Sequence, residues 1–110
     1  MPLSHLTPRL LLLLALVPAG CRRASSNSQT HEVAIHNFEF QPATLTVHTG
    51  ETVRWKNSDA IPHSVVDLDG AFGSGSMPAD ATWSYVATRT GTFHYECSLH
   101  PNMQGTLVVQ

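Results

Sequence analysis

Positive charge is scarce in this 110-residue chain. From His31 onward the basic residues are Arg54, Lys56 and Arg89, set against Glu32, Glu39, Glu51, Asp59, Asp67, Asp69, Asp80 and Glu96. No basic stripe is present to neutralise a phosphate backbone or an anionic lipid surface, so nucleic acid and such membrane surfaces are excluded as partners. Long apolar runs are missing too. The longest, Leu10 to Val17, is too short to cross a bilayer as a helix. Beyond it there is no helical period and no internal repeat. Cysteine completes the scarcities, with Cys21 and Cys97 alone.

The apolar run following Arg9 fits the core of a secretory signal, so the chain is expected to be exported to the periplasm. Val17-Pro18-Ala19-Gly20-Cys21 resembles a bacterial lipobox, in which the Cys becomes the lipidated first residue of the mature protein. Pro18 stands where that pattern usually has Leu. A cut after Ala19 is the alternative and would leave Cys21 unlipidated. Arg22 and Arg23 follow the apolar run instead of preceding it, so they make no twin-arginine signal. Residues 22–30 offer almost nothing to bury and read as a flexible tether reaching at most about 30 Å. The expected division is a signal over 1–20, a tether over 21–30 and a folded domain over 31–110. A domain of that size gains from a metal cross-link. With Cys21 carrying lipid, Cys97 is a leftover thiol in an exported protein, and metal ligation explains it.

Short alternating segments fill the domain. Val33 and Ile35 share one parity and Phe38 and Phe40 the other, which predicts a bulge near Asn37. Leu45 and Val47, then Val53 and Trp55, alternate with polar neighbours across the Thr49-Gly50-Glu51 turn. A strand is expected to open at His63-Ser64-Val65-Val66, followed by a glycine-bearing loop from Asp67 to Pro78. Trp83, Tyr85 and Ala87 share a face, as do Phe93, Tyr95 and Cys97. Seven to eight short strands at this spacing predict an all-β Greek-key sandwich or barrel.

Chemistry concentrates in Cys97-Ser98-Leu99-His100-Pro101-Asn102-Met103, between two predicted strands. A thiolate, an imidazole and a thioether at this spacing suit copper, and adding a second His describes a blue-copper electron-transfer site. A buried Cys, a surface His and a core Met as chance neighbours would give the same pattern. The second His has several candidates. His36, His48 and His94 fall on polar strand faces, and His31 shows no special role, although His31 and His36 together are a conceivable second site. His63 differs, because Pro62 restricts its entry into the strand it opens.

Val53-Arg54-Trp55-Lys56-Asn57 through Pro62-His63-Ser64-Val65 resembles the first ligand segment of cupredoxins. Gly91-Thr92-Phe93-His94-Tyr95-Glu96-Cys97 through His100-Pro101-Asn102-Met103-Gln104-Gly105 resembles their ligand loop, in the short form most similar to the amicyanins, close relatives of the plastocyanins. The resemblance implies one copper ion, cycling between Cu(I) and Cu(II), held by His63, Cys97 and His100 with Met103 as weak axial donor. It implies a carrier of single electrons and not an enzyme, with a copper store or delivery protein as the rival. Partners would be a c-type cytochrome or a periplasmic dehydrogenase, met by a monomer. The docking rim would be Ile61, Pro62, Leu99 and Pro101, with Met77 beside it. Ser64 departs from the group, whose usual Asn braces the ligand loop, and Asn102 replaces an aromatic residue.

Overall fold

The computed structural model describes residues 29–110, with Pro2, Ser4, Leu13, Ala15 and Gly20 besides. Apart from those five residues the expected signal lies outside the described residues, as do Cys21 and nearly all of the tether. Eight strands follow one another: β1 (Thr30–His36), β2 (Glu39–Gln41), β3 (Thr44–Val47), β4 (Thr52–Asn57), β5 (Val66–Asp67), β6 (Thr82–Val86), β7 (Gly91–Cys97) and β8 (His100–Val109). No helix occurs among the described residues. The strands form two four-stranded sheets, ordered β2-β1-β4-β6 and β3-β8-β7-β5. Each sheet mixes directions, with β1 parallel to β4 and β3 parallel to β8. The expected all-β sandwich is what forms.

Alternation does the building. Val33 and Ile35 of β1, Val53 and Trp55 of β4, Phe93 and Tyr95 of β7, and Leu107 and Val109 of β8 all turn inward and are buried. Trp55 meets Tyr95 edge-on with centroids 5.5 Å apart, and Phe40 meets Tyr95 at 4.8 Å. Truncating a buried aromatic such as Trp55 to Ala costs about 3–5 kcal/mol. The inward row of β4 ends at Asn57 and that of β7 at Cys97, both fully buried. Parallel pairing of Ile35 with Asn57 brings the end of β1 to this same pole.

Two local expectations are corrected. The parity change at Asn37 is a chain reversal, not a bulge: His36 pairs with Glu39 across a two-residue turn. Asn37 (φ 52°) and Phe38 (φ 59°) both take left-handed backbone, the type I′ geometry that matches strand twist. Glycine is the usual second residue there, so Phe38 carries strain of about 1–3 kcal/mol. The strand expected from His63 begins only at Val66. His63 instead makes an isolated antiparallel bridge with Met77, which is buried and so not part of an exposed rim.

His31, unassigned from sequence, has a partner at the opposite pole, where β1 and β4 begin. Its Nε2 lies 3.0 Å from the carboxylate of Glu51, a side chain only 2% exposed. The same carboxylate accepts the backbone N–H of His48. The His31 hydrogen bond, then that of His48, hold the Glu51 carboxyl below the usual carboxylate range, although burial opposes them. A depressed folded-state pKa contributes stability above the unfolded value, and this is lost as pH falls through the folded value. Glu51→Gln should therefore lower the melting temperature at neutral pH, and the gap from wild type should close in acid. Thermal melts followed by circular dichroism check this; a gap unchanged by acid would contradict it.

Candidate metal centre

Three donors from separate parts of the chain meet where the inward rows of β4 and β7 end. One ligand atom from each of His63, Cys97 and His100 lies within 4.8 Å of the others. The Nδ1 atoms of both histidines stand 3.7 Å from Cys97 Sγ. His63 and Cys97 are fully buried, whereas His100 is partly exposed. Cys97 has no disulfide partner among the described residues. Cys97 and His100 pair directly across the two-residue Ser98-Leu99 turn, with a register break between Glu96 and Cys97. The expected ligand loop is thus largely strand. Met103, on β8, is 4% exposed.

His63 is held from behind. His63 N–H donates to Met77 O (3.1 Å) and Met77 N–H to His63 O (2.7 Å), which fixes the backbone. The Nε2 of His63 lies 2.9 Å from Asp59 Oδ2. A carboxylate there favours the tautomer whose Nε2–H donates to it, which leaves the Nδ1 lone pair facing the sulfur. Burial works against the Asp59 charge, but the N–H groups of Phe38 and Asn37 and the His63 ring outweigh it and lower the carboxyl's pKa. Asn57 holds the connecting segment, donating from Nδ2 to Ile61 O (2.8 Å) and Met77 O (3.0 Å) while Oδ1 accepts from Asp59 N–H (3.0 Å).

The Ser64 departure is made good by a second serine. The Ser98 N–H donates to Ser64 Oγ at 2.8 Å, and the two hydroxyls are 2.7 Å apart. Ser64 N–H also donates to Cys97 Sγ at 3.3 Å. Ser98 is a weak sequence signal, since a serine in a turn has many uses. Asp59 and Asn57 were equally illegible as supports. Phe38 was missed altogether, although its ring meets those of His63 and His100 edge-on, at 5.2 and 5.0 Å. Around the site, Ile61 (38%) and Leu99 (58%) are exposed, as are Pro62 and Pro101. His36, His48 and His94 are exposed and stand apart from the cluster.

Residues 9–109 match the family model of the cupredoxin-like domain. Amicyanin of Paracoccus denitrificans is 34% identical over 83 residues, covering 71% of this chain and 63% of its own length. A chloroplastic plastocyanin of Chlamydomonas reinhardtii is 36% identical over 87 residues, covering 66% and 59%. This chain therefore spans less than two thirds of either relative. The solved Cu(I) form of an amicyanin variant superposes with a TM-score of 0.71 at 30% identity, covering 79% of this chain and 88% of that one. A purple cupredoxin from Nitrosopumilus maritimus gives 0.67 at 26% identity, covering 72% and 98%.

The donor set fits one copper ion: two imidazole nitrogens and a soft sulfur, two of the three residues fully buried. Ser64→Ala would remove the acceptor of the Ser98 N–H and should cost about 0.5–1.5 kcal/mol. Chemical denaturation of the metal-free protein reads this as a lowered midpoint. An unchanged midpoint would show that the two-serine brace carries no weight.

Proposed function

The chain belongs to the cupredoxin-like family, and from that premise we propose that it is a blue copper protein carrying single electrons between redox proteins. The observation that carries this reading is the gathering of His63, Cys97 and His100, with one ligand atom of each within 4.8 Å of the others. When bound, copper supplies a one-electron Cu(I)/Cu(II) couple. His63 and Cys97 are pinned by backbone and side-chain hydrogen bonds, so they resist displacement when the charge of the site changes. The Ser64 N–H stabilises negative charge on the sulfur, which favours the electron-rich, reduced state. In this reading Met103 would add a weaker thioether donor to the three.

His100 is the ligand nearest solvent, and Ile61, Pro62, Leu99 and Pro101 are uncharged and exposed near the two histidines. A small apolar rim suits brief contact, because little charge is desolvated on arrival and little area holds the partner afterwards. A c-type cytochrome or a periplasmic dehydrogenase is the class of partner, and the protein acts as a carrier without catalysis of its own.

A Cu(II) spectrum tests the assignment. An intense thiolate-to-copper band should be present in the wild type and lost in Cys97→Ala and His63→Ala; a colourless Cu(II) wild type would sink it. Leu99→Glu should keep the band and the fold while slowing electron exchange with a c-type cytochrome. Loss of copper and stability together would place Leu99 in the core instead.

The same reading makes the protein an exported monomer, tethered to a membrane through lipidated Cys21. Cys21→Ser should move it from the membrane fraction to the soluble periplasmic fraction. A wild type that is already soluble would mean that Pro18 diverts cleavage to the site after Ala19.

A further inference from the structure

Three aromatic rings close on one another at the metal pole. Phe38 lies 5.2 Å from His63 and 5.0 Å from His100, and the two histidine rings are 5.1 Å apart, all edge-on. Nothing local recommends Phe at this position. It occupies the left-handed second residue of a tight turn, where Gly is unstrained, and its side chain is 49% exposed. What holds it there comes from far along the chain. Asp59 Oδ1 accepts the N–H of Asn37 at 2.8 Å, and Oδ2 accepts that of Phe38 at 3.0 Å. The same Oδ2 lies 2.9 Å from His63 Nε2, placed to accept its N–H. His36 Nδ1 is 3.8 Å from the carboxylate, beyond hydrogen-bond distance, so these three N–H groups are its partners. One carboxylate thus ties the turn that carries Phe38 to the ring that Phe38 touches.

We propose that Asp59 and Phe38 are positioning residues, a clasp that sets the tautomer of His63 and confines the ring of His100 in its donor orientation. The proposal rests on the reading of His63 and His100 as ligands. Asp59 acts through the ring proton: with Nε2–H committed to the carboxylate, Nδ1 stays bare before any metal arrives. Phe38 acts by contact. His100 sits beside a two-residue turn and is partly exposed, so its ring is the freer of the two. Swinging outward would forfeit its edge contacts with both Phe38 and His63. The turn's strain is therefore retained for the ring it places.

Two measurements on the full chain separate this role from a merely structural one. In the metal-free protein, nitrogen NMR shifts of His63 should show a proton on Nε2 alone, and Asp59→Asn should give a mixture of tautomers. An unchanged tautomer would overturn the Asp59 half. For Phe38, the Cu(I)-loaded protein is mixed with bathocuproine disulfonate and the rate of metal capture recorded. Phe38→Gly relieves the left-handed backbone and should melt no lower than wild type, yet release Cu(I) about fivefold faster. Phe38→Tyr, which keeps the ring, should restore the slow rate. A wild-type rate in Phe38→Gly would reduce Phe38 to a turn residue and overturn that half. The tautomer measurement needs no metal, so failure of the clasp is distinct from failure of the copper reading, which a wild type that takes up no copper would show.

Discussion

One sulfur and two imidazole nitrogens crowded within 4.8 Å are a concentration of lone pairs that an apolar interior does not tolerate unaided. Hydrogen bonds to His63 and to the Cys97 sulfur help hold the arrangement. Ser64 N–H reaches the sulfur, Asp59 hydrogen-bonds the far nitrogen of His63, and Met77 locks the His63 backbone with two bonds. Asn57, fully buried, spends its side chain on three backbone groups of the surrounding segments. Asn57, Asp59 and Ser64 thus have hydrogen-bond partners, while the Nδ1 atoms of both histidines face Cys97 Sγ.

Core packing decides where that pole lies. Cys97 and Asn57 close the inward rows of β7 and β4, so the contacts that set the sandwich also set the donor position. Tyr95, two residues before Cys97, packs against Trp55 and Phe40, and its ring lies so close over Gly105 that a Cβ there would collide with it. A larger residue at position 105 would displace Tyr95, and through β7 the sulfur itself. Interiors this dense transmit small shifts instead of absorbing them.

Each end of the parallel β1–β4 pair carries a histidine joined to a carboxylate through Nε2, and the two pairs differ in what they release. At the strand starts, His31 and Glu51 close on each other around a buried charge. At the strand ends, Asp59 engages only the far side of His63, and the near side faces Cys97. The same interaction is closed in one place and open in the other, because only the second has a sulfur across from it.

Sequence alone determined the period and the donors. Alternation such as Phe93, Tyr95 and Cys97 is a local signal, fixed by the pleat, and it marked the strands and the buried side of β7. Spacing put Cys97, His100 and Met103 on one short stretch, and Pro62 singled out His63; the structure brings His63, Cys97 and His100 together. The supports were decided by tertiary structure. Asp59 meets Phe38 across 21 positions, Ser64 meets Ser98 across 34, and His31 meets Glu51 across 20. The Asn37-Phe38 turn misread as a bulge because a Phe stands where turn chemistry expects Gly, and only the distant carboxylate accounts for it. Which donor finds which acceptor depends on strand register and sheet stacking, and neither leaves a period in the chain.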